Sequence, residues 1–128
     1  MTTPLIVLLV LCILPLSCGW ISGYFRHKQL GEVDNKHPRG QNAQLTGAGA
    51  RACSAQNNSW EALALYTAAL FALYSTQVPV ADYALWCWVY LGLRVAYTGL
   101  YLANLDILRS VVWLGSYAIL MYFFAMAL

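Results

Sequence analysis

Charge is what this sequence has least of. Of its 128 residues only 9% are Asp, Glu, Lys or Arg, while 61% are hydrophobic. Soluble domains run about 45–50% apolar and about 25% charged. So little charge cannot cover a water-facing surface, and the mean hydropathy of +0.60 agrees. The net charge of +2 is too small to point to a nucleic-acid partner. CxxC spacing is missing too. Cys12, Cys18, Cys53 and Cys87 stand apart in or beside apolar stretches, which excludes zinc-ribbon and thioredoxin-like chemistry and leaves free thiols acting as small hydrophobes. A basic leader is lacking before the first apolar run, which opens Thr2-Thr3-Pro4, and no A-x-A cleavage site follows. That run reads as a retained membrane span rather than a cleaved signal, although Leu16-Ser17-Cys18-Gly19 faintly resembles a lipoprotein site. No internal repeat or low-complexity tract is visible.

What is present is apolar sequence in lengths of about 20 residues, enough to cross a bilayer. The pattern predicts an all-α integral membrane four-helix bundle with helices over about 4–25, 47–77, 80–103 and 106–128. The apolar part of the second helix covers about 60–74, and a polar helical stretch precedes it. Pro79 and Asn104 mark the last two boundaries, the proline as a first-turn residue and the asparagine as an N-cap. The loop over 26–46 is the one long polar segment. It carries Arg26, Lys28, Lys36 and Arg39, with Arg51 just beyond, whereas the turn before Pro79 has no basic residue. The positive-inside rule then places loops one and three in the cytoplasm and both termini outside.

Several polar residues fall inside these spans. Tyr83, Tyr90, Arg94, Tyr97 and Tyr101 follow at intervals of seven, four, three and four. At about 100° per residue they form one stripe of a helix. It is either an aromatic packing face with a snorkelling arginine or a ligand-lining face. Arg51, Ser54, Asn58 and Glu61 share one side of the preceding helix, with Asn57 at its edge. These are either wetted residues with Glu61 paired to an arginine, or a second ligand-lining face. Antiparallel topology brings both faces to the cytoplasmic half of the membrane: Arg94 lies nine residues, or roughly 13 Å, from Ala103, and Glu61 a comparable distance past Arg51. Arg109 stands at the same rim. Arginine forks, a carboxylate, amides and tyrosine hydroxyls suit a small zwitterionic or anionic ligand.

The segment Arg51-Ala52-Cys53-Ser54-Ala55-Gln56-Asn57-Asn58-Ser59-Trp60-Glu61 resembles the R-A-x-x-A-x-x-N-x-x-E pattern of the MAPEG family, the membrane-associated proteins in eicosanoid and glutathione metabolism. Arg94-Val95-Ala96-Tyr97, then Tyr101 and Arg109, resemble that family's third- and fourth-helix residues. Asp34-Asn35-Lys36-His37-Pro38-Arg39 resembles a loop of a bacterial branch. The resemblance covers nearly the whole chain. It implies a homotrimer in lipid, in a bacterial inner membrane, with glutathione as co-substrate between adjacent subunits near the cytoplasmic face. It implies that Arg51, Asn58, Glu61, Arg94 and Tyr101 hold glutathione, that Arg109 stabilises its thiolate, and that Tyr97 contacts the tripeptide and is the rival donor to sulfur. The activity implied is that of a transferase or peroxidase acting on a lipophilic electrophile or hydroperoxide. Ser54 departs from the pattern: many glutathione-binding members carry arginine there, four residues before the asparagine. A non-catalytic membrane protein of the same fold, binding a lipid or protein partner, is the alternative.

Overall fold

The computed structural model describes residues 2–128, which contain five helices and no strand: α1 (Thr2–Leu30), α2 (Pro38–Asn42), α3 (Gly47–Ser75), α4 (Val80–Leu102) and α5 (Asp106–Ala127). Four long helices fall close to where the apolar runs predict them, with one longer helix and one added helix as the main differences. α1 runs five residues past the expected end of its span because nothing breaks it before Gly31, whose φ of 85° turns the chain out of the helix. The loop also contains a fifth helix that hydrophobic periodicity cannot show, since five residues are too few to have a period. Pro38 starts it, and the Asp34 carboxylate accepts the N–H groups of Lys36 (2.8 Å) and His37 (3.3 Å) just before.

The expected roles of Asn104 and Pro79 are corrected. Asn104 does not cap α5. It sits at φ 61° and ends α4, where the Leu105 N–H reaches back to the Leu100 carbonyl (3.0 Å). Asparagine tolerates the left-handed conformation that closes a helix, and Leu105 takes the N-cap position. Gln77 (φ 58°) closes α3 in the same way, and Pro79 stands at the N-cap of α4 rather than in its first turn.

α3 is the central packing element. Gly49, Ala52, Ala55, Ser59, Ala62, Tyr66, Ala69 and Leu73 form its buried face. Most are small, which lets neighbouring helices approach closely, the usual device where helices pack without a hydrophobic driving force. A Cβ on Gly49 would lie 2.9 Å from the Phe25 Cβ of α1. Away from the polar loop the interior is aromatic. Tyr66 stacks on Tyr90 at 5.1 Å and tilts against Phe123. The phenol of Tyr66 donates to the Pro4 carbonyl (3.3 Å) and that of Tyr90 to the Ala62 carbonyl (3.1 Å), so each hydroxyl is satisfied without water.

The outside of the bundle is apolar. Leu5, Leu9, Phe71, Leu85, Ile107, Val111 and Leu114 are all exposed. Among the described helices, α1 and α5 are long and apolar enough to cross a membrane by length and composition. Only 28% and 22% of their most apolar stretches are buried inside the bundle. Apolar helices with so little protein around them need lipid as their solvent.

Candidate ligand-binding cleft

The two polar faces predicted from spacing do meet, and α5 closes a cleft over them. Asn58 and Glu61 from α3, Tyr97 from α4, and Arg109, Ser110 and Trp113 from α5 line a space of about 490 Å³. A smaller recess of about 60 Å³ shares Asn58, Glu61 and Trp113 and is also walled by Arg94, Tyr90, Leu65 and Tyr117. The larger volume lies within the usual range for small-molecule clefts, about 300–1,000 Å³.

Arg94 is the anchor of the site and is 1% exposed. Its Nη2 donates to the Asn58 Oδ1 and lies 3.5 Å from the Asn58 carbonyl. The guanidinium sits over the Tyr97 ring at 4.4 Å. Tyr97 meets Tyr101 edge-on at 5.6 Å, and Arg109 covers the Tyr101 ring at 4.2 Å. Asn58, Arg94, Tyr97, Tyr101 and Arg109 thus form a continuous series of contacts, with two cations held on aromatic faces. Two groups are left uncommitted. The Arg94 Nε is buried with no hydrogen-bond partner. Glu61 is exposed to the cleft and makes no ion pair among the described residues, so pairing with a neighbouring arginine does not account for it.

Not every residue predicted from spacing reaches this cleft. Arg51 does not line it. Its Nε donates to the Leu102 carbonyl at 3.2 Å, so its charge caps the C-terminus of α4. The shared helical face is real, but a long side chain one turn nearer the helix end is drawn to the free carbonyls. Ser54 is half-buried and lines no part of the cleft. Tyr101 supports Arg109 from beneath instead of lining the space. The tyrosine stripe divides between its two readings: Tyr83 packs against Phe123 in the core, whereas Arg94 and Tyr97 face the ligand space. Ser110, Trp113, Ser116 and Tyr117 were not foreseen. Trp113, Ser116 and Tyr117 follow Arg109 by four, seven and eight residues and so share its side of α5, whereas Ser110, the next residue, is brought to the cleft only by the docking of the helix.

A sequence model of the MAPEG family matches residues 3–128, essentially the whole chain. The chain belongs to the MAPEG family. No curated protein and no solved structure matches it. Membership agrees with the all-α bundle and its lipid-facing exterior, and it makes this MAPEG chain a membrane protein.

Proposed function

We propose that this MAPEG protein binds glutathione in the α3–α4–α5 cleft for transfer to a lipophilic electrophile, or for reduction of a lipophilic hydroperoxide. One observation carries the reading: a buried arginine with an unpartnered N–H and an unpaired carboxylate share the same cleft. That pair is complementary to a small zwitterion, with Arg94 opposite a carboxylate and Glu61 opposite an ammonium. Glutathione, when bound, supplies a thiol as nucleophile. The Arg109 guanidinium lines the space and favours the ionised form of a thiol whose ordinary pKa is about 8.5. Tyr97 competes for that role through its hydroxyl. Trp113, Leu65 and Leu114 give the cleft an apolar side suited to a lipophilic partner.

The same reading has four membrane spans, both termini outside a bacterial inner membrane, and a homotrimer. The basic residues gathered in the 26–46 loop support the orientation. A polar cleft that one subunit leaves open beside lipid-facing helices supports assembly, because polar helix faces associate through interhelical hydrogen bonds. A second reading, a non-catalytic binding protein of the same fold, draws on Ser54 and on Arg51. The arginine that could replace the missing one is already held by Leu102.

Isothermal titration of glutathione into the detergent-purified protein separates the two. Binding that weakens about tenfold in Glu61→Gln supports the first reading, that being the effect of one hydrogen bond to a charged group. Arg109→Ala should then leave affinity largely intact and raise the pKa of the bound thiol, followed by thiolate absorbance. Loss of that absorbance in Tyr97→Phe but not in Arg109→Ala would transfer the role to Tyr97. No binding by the unmutated protein or by Ser54→Arg would establish the non-catalytic reading.

A further inference from the structure

Arg109 has two carboxylates for neighbours and pairs with neither. Asp106 stands three residues before it on α5, an interval at which side chains on one helix meet. Glu61 lines the same cleft. Neither acid is taken by another cation, since Asp34–His37 is the one ion pair among the described residues. The Asp106 carboxylate accepts the N–H of Ile107 (2.9 Å) in the first turn of its own helix. The Arg109 guanidinium lies instead over the Tyr101 ring, 4.2 Å from its centre. That ring is itself held in place. It is half-buried near the end of α4 and meets Tyr97 edge-on at 5.6 Å, with 74° between the ring planes. Tyr97 in turn carries the buried Arg94.

The choice of a ring over a carboxylate has a chemical consequence. A carboxylate would take up the guanidinium fork and cancel its charge. An aromatic face attracts the cation through the ring quadrupole and uses none of its N–H donors. Arg109 is thus fixed in direction while its charge and its donors stay free for an anion in the cleft. The two modes of holding it are close in strength, because a contact with a ring and an ion pair near the surface are of the same order. Loss of the ring would therefore hand the side chain to a carboxylate. With the ammonium of glutathione on Glu61, that carboxylate is Asp106.

We propose that Tyr101 is a positioning residue, whose ring face holds Arg109 toward the α3–α4–α5 cleft and keeps it from pairing with Asp106. The consequence, an ionised thiol, rests on the glutathione reading; the placement of Arg109 does not. Both are measured on the full chain in detergent. With nitrogen-15-labelled arginine, the Arg109 Nε–H resonance, identified by its loss in Arg109→Ala, should be shifted upfield by the ring current. Tyr101→Phe should keep that shift and Tyr101→Leu should lose it. Glutathione affinity by calorimetry should change less than about threefold in both variants. The pKa of the bound thiol, followed by thiolate absorbance, should rise in Tyr101→Leu nearly to its value in Arg109→Ala and stay in place in Tyr101→Phe. Asp106→Asn, without effect by itself, should restore most of the thiolate to Tyr101→Leu. A loosened fold would not be repaired by removing a carboxylate, so failure of that rescue would overturn the proposal. An upfield shift that survives Tyr101→Leu would overturn it too, as would affinity lost equally in Tyr101→Phe and Tyr101→Leu, which would make the hydroxyl a ligand contact. A ring-shifted Arg109 that Tyr101→Leu releases, in a protein that binds no glutathione, would uphold the placement and sink the glutathione reading alone. An unshifted Arg109 would overturn the placement whatever the protein binds.

Discussion

Replacing Asn58 by leucine keeps the side-chain shape and removes the oxygen to which the Arg94 Nη2 donates. What remains for that nitrogen is the Asn58 carbonyl at 3.5 Å, at the limit of a hydrogen bond. The Tyr97 ring under the guanidinium at 4.4 Å persists and still offsets part of the burial of charge. The loss is therefore one hydrogen bond to a buried charged group, about 2–3 kcal/mol. Arg94→Met added to Asn58→Leu removes the buried cation as well as its acceptor. Replacing both members of a buried polar pair by apolar side chains of similar volume is close to neutral, so the double variant should lie within about 1 kcal/mol of the unmutated protein. The order is the sharp part of the prediction: the double variant is more stable than the single Asn58→Leu. Reversible unfolding in dodecyl maltoside with added dodecyl sulfate, followed by circular dichroism, measures it. Additive losses, with the double variant the least stable of the set, would refute the claim that Arg94 depends on Asn58 for its burial.

Three further predictions concern the surroundings of the site. Arg51→Ala should cost about 1 kcal/mol by freeing the Leu102 carbonyl, and should change glutathione affinity by calorimetry less than about threefold; a tenfold loss would return Arg51 to the ligand. Gly49→Ala should destabilise the bundle by about 1–3 kcal/mol, because its new Cβ meets the Cβ atoms of Phe25 (2.9 Å) and Leu45 (3.3 Å), neither of which can rotate away; Gly99→Ala, with open space around it, should cost nothing in the same unfolding assay. The N–H of Lys36, and with it His37, holds the Asp34 carboxyl below its usual range. Its contribution to the turn that precedes α2 is thus fully present above about pH 4, the ordinary aspartate pKa, and fades as pH falls through the lower folded value. Hydrogen exchange at Lys36 and His37, corrected for intrinsic rate, should be flat from neutral pH to about pH 5 and rise only in stronger acid; a change in the neutral range would exclude Asp34 as its cause.

The sequence by itself determined the class of the protein and the places of its long helices. Apolar runs of bilayer length and a scarcity of charge act locally, and no tertiary contact is needed to read them. It also determined that Asn58 and Glu61 share a face with each other, and Arg94 with Tyr97, because helical periodicity is a property of one segment. Three things were decided only by the fold. The Arg51 side chain turns to the Leu102 carbonyl, and its helical register cannot reveal where the end of α4 will lie. Asn104 could begin one helix or end another; the left-handed turn that α4 and α5 require after Leu102 chose the second. The α3–α4–α5 cleft owes Ser110 and Trp113 to the docking of α5. Periodicity assigns a residue to a side of its own helix, whereas its partners depend on which other helix is brought against that side.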